Sequence, residues 1–233
     1  MNDLHVVVLA AGNAHQRQVA ATLDLQPGCP AELKWEAVPG CERAAWLDDA
    51  QLRREFTACL AEMLRTLYAC PKPTIARVQG DVFAGGVGLV AACDMAVSVD
   101  TATYCLSEVK LGLIPATISP YVVRAMGVQA SRRYFVTAER FSAQQAHAMG
   151  MVHEVCAPEQ LDATIAQHVS QLVANGPRAV RLCKQLVRDV ANVPNTQALR
   201  DDTAKRIADI RASAEGKEGL QSFLNKRPPN WLV

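Results

Sequence analysis

Between Thr74 and Asp100 the chain reads "TIARVQGDVFAGGVGLVAACDMAVSVD": two apolar, β-branched runs separated by a glycine-rich turn and a short uncharged stretch. The runs "TIARVQG" and "MAVSVD" have the makeup of buried strands, and the residues near Gly86 to Ala92 that of a buried helix. Strands alternating with helices point to a parallel sheet, because parallel strands need a crossover connection and a helix usually supplies it. Parallel strands need cover on both faces, so the stretch predicts an α/β core and excludes an all-β or all-helical architecture.

The flanking sequence extends this pattern. "LHVVVL", Leu4 to Leu9, is a further strand running out at Gly12, while residues 13 to 46 hold Pro27, Pro30 and Pro39 with little periodicity and are expected as loop. Asp48 or Asp49 caps a helix carrying Leu52, Phe56, Cys59, Leu60, Met63 and Leu67 at helical spacing. The prolines of "CPKP" end it. "SPYVVRAMG" is a helix stopping at Gly127. In "RFSAQQAHAMGMVHEV", Ser142 and Gln145 form a capping box, Gly150 stops the helix, and Met151 to Val155 resumes as strand. Beyond Pro158 the chain is helical, with Pro177 in a first turn and Gly216 and Gly219 as punctuation. The expected organisation is a core over residues 1–175, with 13–46 as an atypical loop region, and a C-terminal helical, oligomerisation segment over 176–233.

Composition narrows the function classes. A net charge of +1 on 233 residues, with a fifth charged, leaves no basic footprint for nucleic acid. No apolar run reaches the ~18 residues of a membrane span. Asp3 and His5 stand where a signal peptide would be basic. The eight cysteines include no C-x-x-C pair, which points to reduced core thiols in a cytoplasmic protein. No His, Cys and Asp cluster has metal-ligand spacing, and Ser107 and Ser119 lack a His–Asp partner set. The opening "VVVLAAGNAHQR" is similar to the nucleotidyltransferase start L-A-A-G-x-G-x-R, but Ala14 replaces its second glycine, and a plain strand leaving through Gly12 fits better.

The glycine turn itself offers chemistry. Strand, turn and helix start together expose free amides and the positive end of a helix dipole, which hold a phosphate or stabilise an oxyanion. Neither the P-loop nor the G-x-G-x-x-G fingerprint is present.

"IARVQGDVFAGGVGLVAACDMAVSVDTATYCLSEVKLGLIP" resembles the heart of the crotonase, or enoyl-CoA hydratase/isomerase, superfamily. "RRYFVTAERFSAQQAHAMGMVHEV" and the tail "SAEGKEGLQSFLNKRPPNW" are similar to its later motifs. The likeness covers the chain from about Met63 to Trp231. It implies the crotonase ββα spiral with a helical C-terminal segment, the family's first strands being absent through truncation, an altered start or divergence.

The resemblance also implies roles for particular residues. A coenzyme A thioester would be the substrate, no separate cofactor would be needed, and the carbonyl oxygen would sit between two backbone amides. One amide is that of Gly85. The other, by position in "CPAELKW", is that of Ala31, although Pro30 and residues 13 to 29 depart from the pattern. Gly86, Pro115 and Lys226 fall at substrate- or coenzyme-A-binding positions. The glutamate pair of the family's hydratases maps onto Gly88 and Glu108, so Glu108 is the one carboxylate left for acid–base work. A structural alternative pairs Glu108 with Lys110 or Arg124.

"CLSEVKLGLIPATISPYVVRAMG" looks like bacterial methylglutaconyl-CoA hydratases of leucine breakdown, which ranks a 2-enoyl-CoA hydratase first. A Δ3,Δ2-enoyl-CoA isomerase working with one glutamate, and a coenzyme-A-binding member without catalysis, are the alternatives. Homotrimers or homohexamers, with no nucleic-acid or membrane partner, complete the expectation.

Overall fold

The computed structural model describes residues 7–11 and 50–232; the side chains of residues 7–11 and of Leu52, Arg53 and Phe56 are not part of that description. The candidate donor Ala31 and the loop 13–46 lie outside it, so those expectations meet no structural observation.

The described residues divide into two units. The larger comprises Val7–Ala11, residues 50–70 and Thr74–Ile165; the other comprises Pro71–Pro73 and residues 166–232.

The larger unit is built on two sheets. β1 (Val7–Ala11), β2 (Thr74–Val78), β4 (Met95–Val99) and β7 (Glu154–Cys156) form a parallel sheet in the order β1-β2-β4-β7. Ile75 pairs with Met95 and Val78 with Ser98, so the stretch predicted to be strand, helix, strand does run parallel. Ile75, Val78, Val97 and Val99 are buried, as strands covered on both faces require. The second sheet holds β3 (Val82–Phe83), β5 (Thr103–Cys105) and β6 (Phe141–Ser142); β3 and β5 are parallel, and β5 and β6 antiparallel.

Helices α1 (Ala50–Ala69), α2 (Gly85–Ala92), α3 (Ser119–Thr137) and α4 (Ala143–Ala148) complete this unit. α2 is apolar on every side and packs against α1 and α3, the situation of a core helix. In α1 the inward face is led by Leu64 and Leu67, whereas Cys59 is exposed. Cys183 is exposed as well, so these two thiols are not the core cysteines that the sequence suggested.

Gly127 sits at φ 79° and ψ 162°, outside the helical region, so the first helical stretch of α3 ends there as expected and a second runs on past the kink to Thr137. The capping box at Ser142 is present: its hydroxyl accepts from the amide of Gln145 at 3.2 Å, and the Gln145 side chain accepts from the Ser142 amide at 2.8 Å. Gly150, at φ 85°, turns the chain toward β7.

The C-terminal unit is helical. α5 (Leu161–Val173) runs into it, followed by α6 (Pro177–Val190), α7 (Gln197–Ala212) and α8 (Ala214–Leu224). Pro177 opens α6 as expected, and the free amides of Arg178 and Ala179 donate to the Glu215 carboxylate at 3.0 and 2.7 Å. Gly216 and Gly219 lie inside α8 rather than breaking it. Each is a close approach instead: a Cβ on Gly216 would stand 2.1 Å from the Ile210 carbonyl oxygen, and one on Gly219 would meet the Trp231 ring at 3.1 Å.

Candidate active site

The parallel pairing of β3 with β5 creates the site. Phe83 and Cys105 are register partners at the end of the two strands. Beyond them the chains leave in the same direction, one to Ala84 and Gly85, the other through Leu106 and Ser107 to Glu108. Adjacent strands lie about 4.8 Å apart, so the two segments emerge side by side. The Ala84 amide donates to the Cys105 carbonyl at 2.9 Å and extends the pairing one step.

Ala84 has φ 48° and ψ −119°, a conformation that L residues rarely adopt. It bends the chain sharply into α2, where the amides of Gly85 and Gly86 open the helix with no acceptor among the described residues. The first intrahelical contact, Val87 amide to Ala84 carbonyl at 3.0 Å, follows them. A Cβ placed on Gly85 would touch nothing within 4 Å. Its backbone conformation is not one reserved for glycine either, so neither packing nor strain requires a glycine there. At Gly86 a Cβ would meet Val82 Cγ1 at 3.2 Å, so the open space lies at Gly85, where a helix start with free amides offers what an oxyanion needs.

Gly88 is different. A Cβ there would collide with Ile118, at 2.2 Å from Cγ2 and 2.6 Å from Cβ. The space where a side chain at position 88 would stand is therefore filled by Ile118, itself only 2% exposed. Nothing in the sequence near Gly88 announced Ile118, which lies thirty positions on, because the contact depends on how α2 packs against α3.

Glu108 begins a 3-10 turn, Glu108–Leu111. It is half-buried, and its Oε2 is shielded from solvent with no hydrogen-bond partner among the described residues. Burial pushes the carboxyl above the ordinary glutamate range, opposed by a hydrogen bond from its own amide. Lys110 and Arg124 do not pair with it; the Arg124 guanidinium instead lies over Tyr68 and donates to its hydroxyl. Buried Pro115 lies on the same segment.

Gly85, Gly86, Glu108 and Pro115 thus belong to one unit. Lys226 belongs to the other, following α8 at φ 51°. Beside it Arg227 is held by the Glu218 carboxylate through two contacts of 2.6 and 2.8 Å.

Free helix-start amides can hold charge on a carbonyl oxygen, and a partly dehydrated carboxylate can move a proton. The chain belongs to the enoyl-CoA hydratase/isomerase family, whose model matches residues 44–232. An enoyl-CoA hydratase of Alternaria alternata is 39% identical over 170 residues, 71% of this chain and 56% of that protein. The chain thus spans little more than half the length of that relative. A crystal structure of an enoyl-CoA hydratase from Shewanella pealeana superposes with a TM-score of 0.80 at 38% identity, covering 97% of this chain and 78% of that one. One from Bacillus anthracis gives 0.77 at 26% identity, covering 97% and 80%. The fold is accordingly that of the crotonase superfamily.

Proposed function

We propose that the chain hydrates a 2-enoyl-coenzyme A thioester, with the Gly85 amide stabilising the enolate oxygen and Glu108 handling both protons. The observation that carries this reading is Glu108: a half-buried carboxyl, its titration raised by burial, whose Oε2 is shielded from solvent and has no partner among the described residues. In the forward step water adds to the β-carbon, and the electron pair of the double bond moves toward the thioester oxygen as an enolate resting on the turn amides. The neutral Glu108 acid then gives its proton to the α-carbon, the enolate pair forming the new C–H bond. The proton of the added water passes to the other carboxylate oxygen, so Glu108 ends as it began.

The hydratase names of the relatives support this assignment over its rivals. Ala31 is the proposed second oxyanion donor, and Gly86, Pro115 and Lys226 are proposed to contact the substrate. A branched, methylglutaconyl-like acyl group of leucine degradation is the substrate proposed within this class. The second reading, a Δ3,Δ2-enoyl-CoA isomerase, is favoured by the Ile118 side chain filling the space at Gly88. That packing leaves one carboxylate and suits a proton shuttled between two carbons.

We also place the protein in the cytoplasm as a homotrimer or homohexamer. The exposed apolar side chains Val187, Ile207, Phe223 and Leu224 of the C-terminal unit support self-association. Among the described residues no helix is long and apolar enough to cross a membrane.

The test is turnover of crotonyl-CoA, 3-methylglutaconyl-CoA and a 3-enoyl-CoA by wild type and Glu108→Gln. Hydration of either 2-enoyl ester, lost in the variant, supports the reading. Conversion of the 3-enoyl ester alone transfers it to the isomerase, and coenzyme A binding without turnover removes the catalytic role.

A further inference from the structure

The turn amides and Glu108 lie on separate segments, and catalysis requires that one be fixed against the other. We propose that Ile118 does this: it is a positioning residue whose γ-methyl, seated in the notch of Gly88, locks the segment carrying Glu108 onto the helix carrying the amides. The proposal rests on the assignment of Gly85 and Glu108 to the reaction.

The segment from Ser107 to Ser119 is stiff within itself. Its amides at Lys110, Gly112, Leu113, Ala116 and Ser119 donate to carbonyls of Ser107, Val109, Glu108, Ile114 and Ala116, at 2.8 to 3.2 Å. Gly112 closes the turn in the left-handed region, at φ 70°. Among the described residues, every backbone hydrogen bond recorded for residues 108–117 closes inside the segment. The bonds make two tight turns, 107–113 and 114–119, joined directly at the Leu113–Ile114 peptide, so a displacement of one is passed to the other through that link.

Its hold on the rest of the unit is meagre. Leu111, Leu113 and Ile114 are 76%, 57% and 74% exposed, and Val109 is also exposed. Beyond Glu108 the first buried side chains are Pro115 and Ile118. Ile118 caps α3 and enters the gap that Gly88 leaves on α2, one turn of helix beyond the free amides of Gly85 and Gly86. The atoms filling that gap are Cγ2 and Cβ of Ile118. The contact thus depends on the branch at Cβ and not merely on apolar volume. Valine keeps both atoms; leucine has similar bulk but no γ-methyl at that place.

The experiment uses the full chain as wild type, Ile118→Val, Ile118→Leu and Ile118→Ala, with melting temperature measured for each. The Glu108 carboxyl carbon is titrated by NMR, assigned through Glu108→Gln, so this readout needs no substrate. Kinetics then use whichever acyl-CoA the wild type turns over. Ile118→Val should match wild type in both readouts. Ile118→Leu should lower kcat about tenfold with KM changed less than about threefold, and Glu108 should titrate nearer the ordinary glutamate value.

Leucine and alanine variants that melt earlier yet keep kcat and the Glu108 titration would overturn the proposal and leave Ile118 as packing alone. If the alanine variant does not fold, the leucine variant decides. If wild type turns over no acyl-CoA, the catalytic reading fails by itself, and the titration still judges whether Ile118 sets the environment of Glu108.

Discussion

Asp94 and Thr74 are joined by three hydrogen bonds: the Asp94 carboxylate accepts from the Thr74 amide at 2.7 Å and from its hydroxyl at 2.9 Å, and that hydroxyl accepts from the Asp94 amide at 2.9 Å. The pair ties the start of β2 to the turn between α2 and β4, and thereby holds the far end of the helix whose near end carries the free amides. Thr74→Val keeps the shape and removes the hydroxyl, and with it two of the three bonds to Asp94. The expected loss is about 1–3 kcal/mol of stability, read from urea unfolding.

Gly85→Ala separates fold from function. Its Cβ enters open space, so the melting temperature should stay near that of wild type. Acyl-CoA turnover should nevertheless fall about a hundredfold, since the added methyl occupies the approach to the amide. A parallel fall in melting temperature and activity would show the glycine to be structural.

Gly88→Ala should do the reverse at first. Overpacking against Ile118 predicts a loss of about 1–3 kcal/mol. Combining it with Ile118→Ala should recover part of that loss, which a double-mutant cycle of chemical denaturation curves would measure.

Burial favours the neutral form of Glu108, so its folded-state titration lies above that of the unfolded chain. Its favourable contribution is then fully present below the unfolded value and is lost as pH rises through the folded one. The difference in unfolding free energy between wild type and Glu108→Gln should change across that window, wild type losing ground as pH rises. Paired urea titrations from pH 4 to 8 check the sign.

At the C-terminus the sign is opposite. Hydrogen bonds from Arg227, aided by the Asn230 amide, draw the Glu218 carboxyl down to about 2. Its contribution is present above the ordinary glutamate value and lost as pH falls toward 2. Glu218→Gln should therefore lose stability at neutral pH and converge with wild type in acid, followed by proteolysis of the tail or by thermal melts.

Where local chemistry decided the structure, the sequence was readable. Ser142 and Gln145 sit three apart and satisfy each other's backbone, so the helix start followed from two letters. Pro177 and the apolar runs around Ile75 and Val97 behaved the same way. Reading failed where tertiary contact chose among options that glycine leaves open. Gly216 and Gly219 bring a carbonyl and an indole close instead of breaking α8. The site was legible in its parts, the turn and Glu108, through resemblance and through residue type. Its assembly was not, because the β3–β5 register and the seating of Ile118 against Gly88 join positions far apart in the chain.

Ala84 carries a last implication. An alanine at φ 48° is held there by its neighbours, by the Cys105 carbonyl on one side and the first turn of α2 on the other. The strain is imposed by the fold itself, so the chain alone sets the orientation of the following amides. Recognition at this turn is then a matter of charge and not of shape change. A stable enolate mimic should bind without the slow isomerisation that marks a closing site, and its advantage over the plain thioester should appear in how long it stays and not in how fast it arrives.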